Sequence, residues 1–419
     1  MKIAIIGSGI SGLTSAYLLN RKHDVTIFEA NDYIGGHTHT HNIDIDGKNY
    51  SIDTGFIVYN ERTYPNFIKL LDQLNIERQL STMGFSVKSA SQDYEYAGES
   101  LNTLFAKRSN IFRIGFWRML YAMYHFGKKA DSLGRGLDVS MTLGDYLVDE
   151  NYSSEFINYF IIPMGAAIWS TPANKVLDMP AYFFIKFFYN HGMLELTNRP
   201  NWWVIKNGSN SYIEKMISGF KNKILLSTQV RKVARLNDKI LINSYNSKID
   251  THYKENFDSV VFATHSDQAL DILEDPSNAE RDILGSIPYQ KNRILLHTDS
   301  SVLPRRKRAW ASWNYQLDSD PNSPVILTYN MNILQTLEAN KTFCVTLNDS
   351  DSVDKNSILK KITYYHPLFT VKAIEAQKRK SEISGVNNTY YCGAYWRNGF
   401  HEDGVVSALD VCSYFGEKL

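Results

Sequence analysis

Near the start of the chain, the run IAIIGSGISGLTSAYLL from Ile3 holds three glycines, Gly7, Gly9 and Gly12. Glycines at that spacing let backbone amides close around a phosphate. Gly7 permits the tight turn, Gly9 has no Cβ to keep a pyrophosphate away, and Gly12 lets the next helix pack close to the strand before it. Ser11 lies in the same segment and is assigned to the same cradle. Glu29, followed by Ala30, stands where a ribose-binding carboxylate belongs. The chemistry these residues support is the binding of a dinucleotide.

Other positions carry reactive groups. His37, His39 and His41 alternate, so an extended strand would place all three on one face, as a metal site requires. No acid or cysteine accompanies them, and no metal is expected. His265 reads either as a base or as a structural residue at a strand-to-helix turn, and the structural reading is preferred. Cys392 reads as a small core residue rather than a covalent anchor. Close to the end, His401 and Glu402 are the candidates for handling a proton. No nucleophilic triad is evident.

These residues need elements to hold them. Lys2 to Ile6 reads as a buried parallel strand, and the helix after it turns Leu13, Ala16, Tyr17 and Leu19 toward the sheet. DVTIFEA reads as the second strand. FDSVVFATHSDQALDIL reads as a strand ending at Ala263 and then a helix capped by Ser266 or Asp267. From about Gln79 to Arg199 the pattern is mostly helical. Within it, FRIGFWRMLYAMYHFGKK is amphipathic with basic ends, and Phe183, Phe184, Phe187 and Phe188 recur at helical spacing. Core helices are the plain reading of these stretches; an acyl-chain tunnel or a membrane-docking face is the sharper one. Tyr289 onward alternates as an antiparallel sheet. PRRKR at Pro304 to Arg308 reads as a solvated loop, or as a patch attracted to anionic headgroups. A final strand delivers Gly393, and a helix starts near Gly404.

The totals set limits. In 419 residues, 45 Lys and Arg face 44 Asp and Glu, a balance that calls for no nucleic acid. Apolar residues at 43% supply a substantial core, and aromatics reach 13%. Three scattered cysteines fit a reducing compartment, and Lys2 runs straight into the first strand, so no signal peptide is expected. No apolar run spans a bilayer. The chain reads as cytoplasmic, with contact at the inner membrane face as a further reading.

A second glycine pair, Gly35 and Gly36, follows Glu29, and then come IDTGFIVYN and, at the end, GAYWRNGFHEDGVVSAL. This order resembles the flavin-containing amine oxidase and phytoene desaturase superfamily. More narrowly, it is similar to bacterial predicted FAD-dependent oxidoreductases associated with cyclopropane fatty acyl phospholipid synthases. The resemblance implies FAD. Gly35 and Gly36 would return to the pyrophosphate, with His37, where relatives carry Arg, and Thr38 beside them. Gly55, Phe56 and Ile57 would pass beside the isoalloxazine, Val230 would pair with adenine, and Ala263 would lie near the phosphates. Gly393 would approach the ribityl chain, where Ala394 replaces the usual acid and Glu402 or Asp403 would compensate. The amino end of the last helix, at Asp403, Gly404 and Val405, would face the flavin N1 and C2 carbonyl. Phe400 and Trp396 would wall the pocket, and Lys291 and Arg293 are the basic residues nearest the position where many amine oxidases keep a Lys.

The fold expected is α/β, a Rossmann-like two-dinucleotide-binding FAD domain from residues 1–80, 200–275 and 380–419. A mixed helical and antiparallel-sheet substrate domain from 81–199 and 276–379 completes the amine oxidase-like architecture. The function implied is oxidation of a hydrophobic substrate by hydride transfer to flavin N5, on a methylated fatty acyl chain of a lipid. A flavin amine oxidase and a non-catalytic lipid-binding escort protein are the alternatives. The partner expected is a hydrophobic small molecule or lipid; the oligomeric state stays open.

Overall fold

The structure is a computed structural model that describes residues 1–89, 93–133, 138, 140–193, 195, 199–317, 320, 324–349 and 351–419. Its centre is a parallel sheet in the order Ile224–Leu225, Asp24–Phe28, Lys2–Ile6, Ser259–Phe262, Thr389–Tyr391. Alternation along the first strand explains why the sheet is covered twice. Ile3 and Ile5 pack with Leu13, Ala16 and Leu19 of the first helix, Ile10–Leu19. Ala4 and Ile6 pack the other way, onto Val230, Val233, Ile240 and Ile242. Those residues belong to an antiparallel sheet of Thr228–Leu236, Lys239–Asn246 and Thr251–Phe257. The last helix, His401–Ser413, lies beside the first.

A seven-stranded sheet forms the second half, in the order Ile358–Pro367, Tyr289–His297, Cys344–Leu347, Ile326–Asn330, Trp313–Gln316, Phe85–Ser89, Tyr94–Ala97. All its pairs are antiparallel except Trp313–Gln316 with Phe85–Ser89. Helices Ile114–Leu133, Leu143–Asp149, Ile162–Trp169 and Ala181–Asn190 share its core.

Three sequence expectations change here. The stretch expected to be mostly helical from Gln79 opens with strands, Arg78–Ser81, Phe85–Ser89 and Tyr94–Ala97. Arg78–Ser81 pairs with Trp202–Ile205 and Phe85–Ser89 with Trp313–Gln316, both remote in sequence. The helix expected to be capped by Ser266 or Asp267 has His265 at its cap position. The last helix starts at His401, not near Gly404. Of the four phenylalanines, Phe184 and Phe188 are fully buried and stacked 4.2 Å apart, whereas Phe187 faces a cavity.

Candidate active site

A cavity of about 720 Å³ opens at the carboxyl ends of the parallel strands and runs between the two halves. Gly7, Gly9, Ser11, Glu29, Ala30, Gly35, Gly36, His37, Gly55, Phe56, Ile57, Val230, Ala263 and Gly393 all line it. Segments far apart in the chain therefore meet in one space.

The glycines divide their work. Gly7 has a φ of +104°, and a Cβ there would sit 2.8 Å from the Ala263 carbonyl oxygen, so the turn excludes any side chain. Gly9 has no atom within 4 Å of its Cβ position; a side chain there would take up cavity space instead of striking protein. A bridge pairs Gly9 with Gly35, and a Cβ on Gly36 would fall 3.2 Å from Gly9 Cα. The second glycine pair thus closes onto the first.

Glu29 is buried with its carboxylate fixed. One oxygen accepts from the Ser8 N–H at 2.9 Å and the Ser8 hydroxyl at 2.6 Å. The other accepts from the Asn31 N–H at 2.9 Å and its side-chain amide at 2.8 Å. Val230 sits beside a bulge at Arg231 that interrupts its strand pairing.

Above the cradle lies a cluster that local pattern did not reveal. The His37 ring is 4.7 Å from Tyr364, 5.4 Å from His366 and 6.3 Å from His265. Burial, and then mutual repulsion, lowers His37 and His265 to about 4 and His366 to about 3, so all three are neutral near pH 7. The Nε2 of His37 is buried without a partner. His39 stacks on Tyr33 at 4.1 Å, and His41 lies against His39. Among the described residues no cluster of three or more His, Cys, Asp or Glu is placed to hold a metal ion.

His401 lines the cavity with its chemistry already committed. Its Nε2 is 2.9 Å from Thr38 Oγ1 and 3.2 Å from the Tyr212 hydroxyl. Its ring stacks on Phe56 at 3.5 Å, and burial holds it well below the usual histidine range. It therefore positions Phe56. Thr38 is the buried anchor behind it and does not face the cavity.

Several assigned residues lie elsewhere. Glu402 accepts from the N–H groups of Asn66 (3.2 Å) and Phe67 (2.8 Å) and from the Asn66 amide (2.7 Å), so it caps the helix Pro65–Gln73. Asp403, pushed up to about 6 mainly by burial, accepts from the Phe400 N–H at 2.9 Å and caps its own helix. Neither carboxylate lines the cavity in place of the acid missing at Ala394. Trp396 is buried in the core against Tyr395, behind the wall. Lys291 and Arg293 are exposed: in their strand Asn292 and Ile294 point inward, and the alternation turns both cations to solvent. Gly12 and Gly404 are packing glycines, with Cβ positions 2.0 Å from the Gly7 carbonyl oxygen and 2.7 Å from Ile10 Cγ2. Val405 is fully buried. Cys392 is also buried, and its thiol is pushed up to about 11 by burial, as suits a core residue.

The far wall differs from the cradle. Met83, Ile168, Trp169, Phe187, Met193, Leu334, Leu347 and Phe369 face the cavity there. Phe400 stacks on Phe187 at 5.1 Å. No Lys or Arg among the described residues lines the cavity, and its acids, Glu29 and Asp271, stand on the dinucleotide side. His191, which sequence reasoning passed over, faces both Phe187 and Phe400. Its Nδ1–H donates to the Phe187 carbonyl at 2.9 Å, which leaves Nε2 as the acceptor.

A glycine cradle that a Cβ would fill, an unpartnered imidazole nitrogen beside it and a carboxylate fixed at the end of the second strand suit a flavin dinucleotide. Together with an apolar chamber against the same cavity, they define an FAD-dependent oxidoreductase. The family model described as flavin containing amine oxidoreductase matches residues 10–307, and the chain belongs to that family. A CLA-producing fatty acid isomerase from P. acnes shares the fold at 16% identity, with a TM-score of 0.72 over 99% of this chain and 98% of that one. Cyclohexylamine oxidase from Brevibacterium oxydans IH-35A matches at 13% identity and a TM-score of 0.69 over 99% of each chain. A 1-hydroxycarotenoid 3,4-desaturase from Flavobacterium sp. (strain P99-3) is 43% identical over 74 residues, 17% of this chain and 14% of that protein. A tryptophan 2-monooxygenase from Allorhizobium ampelinum is 62% identical over 42 residues, 10% of this chain and 6% of that protein. Both of these matches span a small part of the relative's length.

Proposed function

We propose that this oxidoreductase dehydrogenates an apolar chain, a fatty acyl group of a lipid. The observation that carries the reading is the far wall, built of aliphatic and aromatic side chains with no cation or carboxylate among the described residues. Burying a charged substrate there would be costly, whereas an alkyl chain gains by it. A fatty acid isomerase and a carotenoid desaturase among the similar proteins support the same class of substrate.

FAD, when bound, supplies the two-electron acceptor that takes a hydride from a substrate C–H. The residues that would hold it are the cradle Gly7–Gly9–Gly35–Gly36, Glu29, His37 and Val230. The chain's own work is to orient, to dry and to accept a proton. Phe187, Phe400 and Trp169 fix the substrate's path, and Trp169 is itself held by an N–H bond to the Asn398 carbonyl at 3.2 Å. Loss of a hydride makes the proton on the neighbouring carbon strongly acidic, so a weak base suffices to complete the double bond. His191 Nε2 is that base. Burial lowers His191 to about 4, which keeps it unprotonated near pH 7.

Anaerobic titration of the purified yellow protein tests this. Bleaching of the flavin absorbance by an unsaturated methylated phospholipid and not by cyclohexylamine or putrescine is expected. Bleaching by the amines alone would replace this reading with an amine oxidase.

A further inference from the structure

One helix is apolar on two faces. Ile114–Leu133 turns Phe116, Met119 and Phe126 into the core. Its opposite side carries Ile114, Trp117, Tyr121 and Tyr124, three and four residues apart, in one solvent-exposed stripe. Ile114 is 77% exposed. Next to the stripe stand Phe112, 87% exposed, and Leu101 of the short helix Leu101–Leu104, 76% exposed. The patch is held together: the Trp117 indole N–H donates to the Ile111 carbonyl at 2.8 Å, and its ring is 5.5 Å from Phe105. Single exposed apolar residues are ordinary, but a joined patch of this kind marks a surface with an occupant.

Charge identifies the occupant. The turn at Lys307–Ala309 packs on Leu101–Leu104 and brings PRRKR beside the patch. Arg305, Lys307 and Arg308 are exposed, and none has an ion-pair partner among the described residues. Arg113 lies over the Tyr94 ring at the same end. Of the acids nearby, Glu95 is paired with Arg306, Asp93 with Lys107 and Glu155 with Arg118, and Glu99 alone beside Leu101 has no ion pair among the described residues. A second copy docking about a two-fold axis would bring these unpaired cations face to face. An anionic bilayer attracts them, and Trp, Tyr and Phe suit the headgroup boundary. No helix among the described residues is long and apolar enough to cross a membrane.

We propose that the face formed by Leu101, Phe112, Ile114, Trp117 and Tyr121 docks this protein peripherally on a bilayer containing anionic phospholipid. The helix Ala181–Asn190, which places Phe187 in the cavity wall, packs on the inward side of the docking helix. The bilayer would therefore lie one helix away from the apolar chamber. The proposal stands whatever the enzyme's substrate is.

The test is co-sedimentation of the full-length, FAD-loaded protein with vesicles of phosphatidylcholine alone or mixed with phosphatidylglycerol. Binding to the mixed vesicles is expected, weakened by high salt. The triple variant R305Q/K307Q/R308Q should lose about fivefold in binding for each charge removed. Phe112→Ser with Ile114→Ser should lose about tenfold or more while keeping the flavin spectrum. Quenching of tryptophan fluorescence by brominated lipid should fall in Trp117→Phe. Equal binding by wild type and the double variant would overturn the proposal. So would a wild-type dimer that ignores vesicles and dissociates in the double variant.

Discussion

Gly404, near the amino end of the last helix, lies against Ser11 at the amino end of the first. A Cβ on Gly404 would come 3.0 Å from Ser11 Oγ and 2.7 Å from Ile10 Cγ2. The two ends of the polypeptide are thereby locked together behind one cavity wall. Both helix amino ends, with their free N–H groups and partial positive charge, are carried by this contact. Gly404→Val should force the helices apart, cost about 1–3 kcal/mol and lower the flavin retained per protein. Gly404→Ala should do less, because Ile10 Cγ2 is the end of a side chain. Thermal melts and the ratio of visible to ultraviolet absorbance read both effects.

Gly7 and Gly9 should separate folding from cofactor binding. Gly9→Ala meets no protein atom and has an ordinary φ of −68°, so the fold should survive while FAD affinity falls. Gly7→Ala meets a carbonyl oxygen at a positive φ and should destabilise the apoprotein itself. Apoprotein melting against flavin titration distinguishes the two.

Glu402→Ala should remove the cap from Pro65–Gln73 and leave the Phe67 N–H without its partner. A loss of about 1–2 kcal/mol in stability is expected, with turnover per bound flavin unchanged. Lys291→Ala with Arg293→Ala should change neither. A fall in turnover in either variant would return these residues to the reaction.

His191→Phe keeps the stack on Phe187 and removes the acceptor. Turnover should fall roughly 10²–10⁴-fold with flavin content intact. The wild-type rate should hold through pH 6.5 and drop only as pH falls through about 4, where His191 takes up its proton.

Stability should also depend on acid, and the sign follows from where protons bind. His37, His191, His265 and His297 are lowered to about 4 and His366 to about 3, chiefly by burial, so between those values and about 6.5 the unfolded chain holds more protons. Stability is then lost as pH falls through that window. Asp53 and Asp403, raised to about 6, act in the opposite sense but are fewer. Melting temperature should drop steadily from pH 6.5 toward 4; a flat profile would mean that these histidines are not buried.

The parts of the site that were legible in sequence are those fixed by local backbone chemistry. The glycine turn, Glu29 at the end of the next strand and the last helix depend on neighbours a few residues away. Lys291 and Arg293 were misplaced because a strand sends alternate side chains to opposite faces, so proximity in sequence says nothing about which face meets the cavity. Glu402 was misread because its partner, the helix at Pro65, lies at the other end of the chain. The cluster of His37, His265 and His366 comes from three distant segments and has no local signature. His191 carries no local signal of its own; its role rests on Phe187 and Phe400 meeting around it.

The most direct measurement is the anaerobic titration of the flavin-loaded protein with an unsaturated acyl phospholipid, followed by mass analysis of the lipid. The account predicts bleaching with the acyl chain two hydrogens lighter. An unbleached flavin with lipid, together with rapid bleaching by an amine, would contradict it.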